Sequence, residues 1–296
     1  MIRMKKVLLI LFMLVYFHLI PAEAAKYGIA RTYTPVLNVP NFKDIFGGVT
    51  KLRLKTDRCG QVRELEYIAM PGSIFMILGE HGSETSKIFQ VQTEEYANPP
   101  NVRLYIDSRF IQILENVPKP RNPELPLREI IISRLKASLG SPYVWGGNVL
   151  SGVPELTSLY YKNIKSVDTR SHILAGLDCS GLLYYATEGI TPRNTSQLIT
   201  YGQGLMIADK SSSEIAATLQ PLDLIVWNGH VIIVLDRYTV IESRLECGKP
   251  GNGGVVISQL LKRLDEIMRT RSPANVWLKG KKQGENFVVR RWFSGK

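Results

Sequence analysis

Within "NVPKPRNPELPLR", residues 116–128, four prolines fall in a nine-residue span: Pro118, Pro120, Pro123 and Pro126. Proline lacks an amide donor and fixes φ, so neither a helix nor a central strand can run through such a segment. The segment reads as a linker over 117–125, with one domain over 25–116 before it and another over 126–296 after it. A chain of 296 residues is long for one domain and comfortable for two.

The residue patterns differ on the two sides. Upstream, "TKLRLKT" alternates, "SIFMILGEHG" is an apolar run ending in a turn, "KIFQVQT" alternates again, and "VRLYIDSRFIQIL" reads as one further strand-like run. Strands this short and close suggest a small all-β barrel or sandwich. Downstream, Leu127, Ile130, Ile131, Leu135 and Leu139 recur at helical spacing, with Gly140 as the stop. "CSGLLYYATEG" predicts a second helix closed by Gly189, and "TSQLITYGQG" a shorter one capped by Thr195 or Ser196. After Pro221 come the strands "DLIVW", "HVIIVL" and "TVIES", separated by turns short enough for antiparallel hairpins. Helices followed by antiparallel strands predict an α+β layout.

The N-terminus reads as an export signal over residues 1–24. Arg3, Lys5 and Lys6 precede a largely apolar run from Val7 to Ile20, and small residues flank Ala24. That run is short for a permanent bilayer span, so no stable membrane insertion is expected once the signal is cleaved. Removing three bases and one acid lowers the formal charge from +11 to +9. A basic exported chain is drawn to polyanions, but no recognition helix or RNA motif accompanies the charge, so nucleic acid is not expected as a partner. Lys279, Lys281, Lys282, Arg290 and Arg291 near the C-terminus read as solvated surface. The three cysteines leave two states open: Cys59 pairs with Cys247 and Cys179 stays free, or all three are reduced. Their spacing matches no small disulfide scaffold, which favours the reduced state. No C-x-x-C or H-E-x-x-H spacing supports a zinc site.

Chemistry concentrates around Cys179 in "AGLDCSGLLYYA". At a helix start the thiol lies beside unpaired backbone N–H groups, an environment that favours the thiolate nucleophile. Leu182, Leu183 and Ala186 would anchor the helix, and the small Ser180 and Gly181 would leave room for a substrate backbone. The competing reading is a buried small hydrophobe. A nucleophile needs a base, and three histidines follow the signal segment. His81 lies in an expected turn and His172 in a polar loop. His230 opens a strand after the "NG" turn, where the imidazole would be rigidly held. Glu242, on the next strand, either pairs with His230 or alternates outward to solvent.

"SPYVWGGN", "GLDCSGLLYYA", "LQPLDLIVW" and "HVIIVLDRYTVIES", in this order, resemble the NlpC-type cell-wall peptidases, a papain-like cysteine peptidase family. The matching segments cover about residues 127–245. The resemblance implies helices packed on an antiparallel sheet, Cys179 as nucleophile, His230 as general base and Glu242 as the residue that orients it. It implies Tyr143 at the oxyanion site, Trp145 in the substrate cleft, and Asp178 with Ser180 at the substrate's amine end. The N-terminal domain resembles bacterial SH3-like domains, with Tyr105 expected to cap the same pocket. The implied activity is hydrolysis of peptidoglycan (murein) stem peptides at the D-γ-glutamyl–diaminopimelate bond, in the periplasm or at the wall, with no metal and no cofactor. The sequence departs from the pattern at Glu242, where the family has His, Asn or Gln, and at Leu222 and Ile232, where it has glycine. Two other functions are compatible: an inactive peptidoglycan-binding protein, or an amidase or acyltransferase working through a thioester on another substrate.

Overall fold

In this computed structural model, residues 26–83, 86–162, 169–277 and 285–293 are described. The expected signal segment lies outside them, as do Lys279, Lys281 and Lys282 of the basic cluster.

The N-terminal half is a seven-strand antiparallel sheet. Its strands are β1 (Tyr27–Ala30), β2 (Thr34–Leu37), β3 (Leu65–Ala69), β4 (Ile74–Ser83), β5 (Ser86–Gln92), β6 (Leu104–Asp107) and β7 (Ile111–Leu114). They lie in the order β3-β2-β6-β5-β4-β1-β7. Three sequence expectations need correction here. "TKLRLKT" contributes only Arg53–Leu54 to a two-residue pairing, because Leu52 is exposed and Leu54 alone packs inward. "GEHG" is not a turn: His81 pairs with Ile88 inside the β4–β5 ladder, which continues across a register shift near Ile77–Gly79. "VRLYIDSRFIQIL" is two strands, because Asp107 accepts the Arg109 N–H at 2.9 Å and sets a 3₁₀ turn over Ser108–Phe110. Residues 115–127 carry neither helix nor strand, as the prolines require.

The C-terminal half has α1 (Arg128–Ala137), α2 (Glu155–Tyr160), α3 (Cys179–Ala186), α4 (Ser212–Thr218) and α5 (Leu260–Met268). Its strands are β8 (Leu224–Trp227), β9 (His230–Val234), β10 (Thr239–Leu245), β11 (Gly253–Gln259) and β12 (Asn286–Arg291), in the order β12-β8-β9-β10-β11, all antiparallel. Apolar side chains leave both faces of this sheet. Val226, Val231, Ile233, Ile241 and Val288 pack with α1 and α3, whereas Ile225, Ile232, Val234, Val240 and Val289 pack with α4 and α5. Burial on both faces explains why these strands read as continuous apolar runs rather than alternating ones.

The layout is therefore mixed rather than helices first. α5 follows the hairpins, and β12 inserts beside β8. Arg290 and Arg291 are half-buried and paired rather than freely solvated: Arg290 donates to the Tyr201 carbonyl at 3.1 Å, and Arg291 pairs with the buried Asp223 at 2.6 Å. The helical turn Thr195–Leu198 is preceded by Asn194 at the cap position, and the Thr195 hydroxyl instead accepts the Gly229 N–H at 3.0 Å. Of the α1 residues, Ile131 and Leu135 are buried, whereas Leu127, Ile130 and Leu139 at its ends are exposed.

The two halves share a core. Val149, Val153, Leu156, Tyr160, Tyr161 and Leu174 from beyond the linker pack with Val36 and Phe89 of the sheet and with Phe42 and Phe46 of the segment that follows β2. Asn148, wholly buried, pairs like a strand residue with Ile68, accepting its N–H at 3.0 Å and donating to its carbonyl at 2.8 Å. A disulfide, Cys59–Cys247, ties the loop after β2 to the β10–β11 hairpin across 188 residues, contrary to the reduced state favoured from spacing. Pairing is set by which loops the packed halves bring together, and sequence spacing does not report that. Closing so long a loop should stabilise the fold by about 3–5 kcal/mol. Two measurements check it: unfolded without reductant, the protein should titrate a single thiol, and the Cys59→Ser/Cys247→Ser double variant should melt at least several degrees lower.

Candidate active site

Cys179 is the first residue of α3, and the local geometry follows from its neighbours. Asp178, in extended conformation at the N-cap, accepts the Gly181 N–H through Oδ1 at 2.6 Å. Gly181 lies against the backbone of Gly147 from "YVWGG": a Cβ at Gly181 would sit 2.0 Å from the Gly147 carbonyl oxygen. The room at this glycine is therefore taken by the protein's own chain rather than left for substrate, which corrects the sequence reading. Leu182, Leu183 and Ala186 are fully buried, as expected, so the helix is anchored by its apolar face.

A buried arginine that the sequence reading did not single out holds this corner. Arg193 is 1% exposed. It donates to both Asp178 oxygens at 3.0 and 2.6 Å, to the Ser180 hydroxyl at 2.8 Å, to the Gly147 carbonyl at 3.3 Å and to Asn148 Oδ1 at 3.3 Å. Asp178 and Ser180 are consequently buried, with their polar atoms engaged inside the protein. Nothing about "TPRNT" marks Arg193 as internal, because a lone arginine in a loop reads as solvated.

The thiol of Cys179 is buried, with Sγ 3.9 Å from the Gly229 carbonyl, and it lies close enough to His230 for the two groups to interact electrostatically. His230 Nε2 lies 2.6 Å from Glu242 Oε2, which leaves Nδ1 for the thiol. Glu242 is wholly buried and paired, so the outward alternative for it is excluded. Its carboxylate also accepts from Arg263 on α5, Nε to Oε1 at 2.7 Å and a terminal nitrogen to Oε2 at 3.0 Å. Burial alone would lower the His230 pKa, but the hydrogen bonds and charges of Cys179 and Glu242 outweigh it and raise the value to about 9. Burial works against the charge on Glu242, and His230 with Arg263 reverse that, holding its pKa below the ordinary value. Trp227 packs on the imidazole at 5.1 Å between ring centroids.

The remaining expected residues are placed as follows. Tyr143 is nearly buried, and desolvation followed by the charges of Asp178 and Cys179 raises its pKa well above 10, so its hydroxyl keeps its proton. Trp145 is exposed, with Arg63 of the N-terminal half 4.5 Å above its ring, and its N–H donates to Gln61 Oε1 at 2.8 Å. Gln61, Pro142, Tyr143, Ala175, Gly251 and Asn252 line one cavity, so both halves border the space beside Tyr143. Tyr105 packs in the core of the first sheet, edge-on to His81 at 5.5 Å. That position differs from the expected cap over the pocket, because β6 is an interior strand there. His172 bonds the Leu52 carbonyl at 3.2 Å and takes no part in this cluster.

No family model matches the sequence, and no curated protein matches it. Solved structures do superpose. An NlpC/P60 family protein from Bacillus cereus aligns with a TM-score of 0.33 at 16% identity, over 91% of this chain and 64% of that one. The chain thus spans less than two thirds of that protein's length. RipD from Mycobacterium tuberculosis, described as a non-catalytic NlpC/p60 domain protein adapted to peptidoglycan binding, aligns with a TM-score of 0.33 at 19% identity, over 57% of this chain and all of that one. The P60 domain of a Mycobacterium avium paratuberculosis antigen gives 0.28 at 18%, over 45% and 82%. Superpositions this loose leave the functional reading to the geometry of the site.

Two outcomes follow from that geometry. Arg193→Met strands the Asp178 charge at the head of α3 and should cost about 3–5 kcal/mol in urea unfolding, with partial recovery on adding Asp178→Asn. His230 has a folded-state pKa above its ordinary 6.5, so its stabilising contribution is complete below 6.5 and is lost as pH rises through about 9. Urea midpoints at about pH 6 and about pH 9.5 should therefore diverge in the wild type and converge in His230→Asn.

Proposed function

We propose that the chain is an exported cysteine peptidase of the NlpC type, hydrolysing peptidoglycan stem peptides at the D-γ-glutamyl–diaminopimelate bond. The observation that carries the proposal is the run of contacts from Cys179, at the start of a buried helix, through His230 to the buried Glu242. A thiol beside an imidazole that is itself oriented by a carboxylate is the arrangement acyl transfer requires. The order of "YVWGG", "DCSG" and the His230 and Glu242 strands supports the family reading, as the leader segment supports export to the periplasm or wall.

In the proposed reaction the Cys179 thiolate, its proton already held by His230, attacks the amide carbonyl through Sγ. The N–H of Cys179, which as the first helical residue lacks an intrahelical partner, and the protonated Tyr143 hydroxyl are the donors available to the oxyanion. Collapse breaks the C–N bond while the imidazolium gives its proton to the leaving amine. Water activated by the neutral His230 then hydrolyses the thioester and restores the thiol. Glu242 keeps the ring oriented and its charge compensated throughout. The net positive charge suits a substrate with several carboxylates.

The test is digestion of soluble stem peptides followed by mass spectrometry, with free-amine and N-acylated L-alanyl tripeptides side by side. Wild type should cleave, and Cys179→Ala should lose at least about 1,000-fold in rate. Binding without cleavage would identify a peptidoglycan-binding protein. A thioester passed to an acceptor other than water would identify an acyltransferase.

A further inference from the structure

We infer that Arg263 is a positioning residue of the site: its guanidinium clamps and neutralises Glu242, so that a charged group can orient His230 where a neutral side chain would otherwise serve. The inference rests on the peptidase reading for its catalytic consequence and on the geometry alone for the clamp.

α5 is amphipathic, with Leu260, Leu264 and Ile267 buried at its sheet-facing stripe. Arg263 falls on that same stripe, three residues after Leu260 and four before Ile267, a position where an apolar side chain would be expected. Instead the side chain reaches across the α5–β10 interface and grips both carboxylate oxygens of Glu242. Oε1 takes Nε alone, whereas Oε2 is shared between Arg263 and His230 Nε2. The two-point grip fixes the plane of the carboxylate, and with it the oxygen that faces the imidazole.

The other charged groups around Glu242 do not duplicate this role. Arg244, two residues along β10, comes only to 3.9 Å of Oε1 and turns its other terminal nitrogen to Glu246 at 3.4 Å. Glu266, one turn beyond Arg263 on α5, accepts from it at 3.2 Å and steadies the guanidinium from outside. From the third side, Arg271 stacks on Trp227 at 4.7 Å, with Trp227 between it and His230. On β9 and α3 the facing groups are His230 and, through it, Cys179.

A buried carboxylate with no second partner would hold the imidazolium proton as its sole counter-charge. The imidazolium would then be a weaker acid toward the leaving amine. Arg263 shares the carboxylate's charge and so keeps the proton transferable. The pairing also explains how a glutamate stands where a neutral residue would need no counter-ion.

The experiment is a double-mutant cycle read in two ways: the pH profile of Cys179 alkylation by iodoacetamide, which needs no substrate, and the His230 ring shift by NMR. Arg263→Met should move the His230 transition up by about one pH unit and slow turnover at least about tenfold with KM nearly unchanged, and Arg263→Lys should recover part of both. In a Glu242→Gln background the same Arg263→Met change should alter either readout by less than about twofold, because no charge is left to clamp. Thermal melts of all variants identify any that fail to fold, and Arg263→Lys carries the test if Arg263→Met does. A transition that stays put or moves down in Arg263→Met, or an equal loss in both backgrounds, would overturn the clamp. A wild type that alkylates with the expected profile yet cleaves no stem peptide would overturn the substrate reading and leave the clamp standing.

Discussion

The buried pair of Arg193 and Asp178 is the joint on which the site is built. A guanidinium and a carboxylate taken out of water are costly unless every remaining donor and acceptor is met, and here they are met by the elements that must be aligned. Arg193 bonds the Gly147 carbonyl, which also presses on Gly181. It bonds Asn148, which carries the backbone pairing with Ile68 of the first sheet. It bonds Asp178 and Ser180 on either side of Cys179. One cation thereby ties the "WGGN" loop, the head of α3 and the N-terminal sheet into a rigid corner.

The second anchor lies across the sheet. His230 sits at the start of β9, with its turn held by the Thr195–Gly229 bond, and Glu242 reaches it from β10. Both belong to the sheet whose other strands are packed on two faces, so their Cα positions have little freedom. Cys179 is positioned by a helix on one face and Glu242 is gripped by a helix on the other. The cluster of Cys179, His230 and Glu242 therefore depends on all three layers staying in register.

The N-terminal sheet is more than an appendage. In the loop that leads into β3, Gln61 accepts the backbone N–H of Trp145, Arg63 covers the Trp145 ring, and Cys59 is bridged to the hairpin that carries Gly251 and Asn252. Gly251 and Asn252 of that hairpin thus lie at the cavity beside Tyr143. Shared apolar packing through α2 makes the two halves one core, although the secondary structure changes character where the prolines lie.

Much of this was decided locally and was legible in the sequence. The prolines at 118–126 divide the chain because a missing amide acts wherever it stands. Cys179 falls at a helix start because Asp178 caps it, and a short turn sets the strands that carry His230 and Glu242 side by side. Those are short-range properties of the chain. Long-range properties required the fold: β12 pairing with β8, Cys59 meeting Cys247, Arg193 beneath Cys179 and Arg263 behind Glu242. Arg263 alone left a trace, a charge on the apolar stripe of α5. Periodicity tells a residue which way to face along its own element, but a buried charge or thiol is resolved by whichever partner tertiary packing delivers to it, and local pattern carries no record of that meeting.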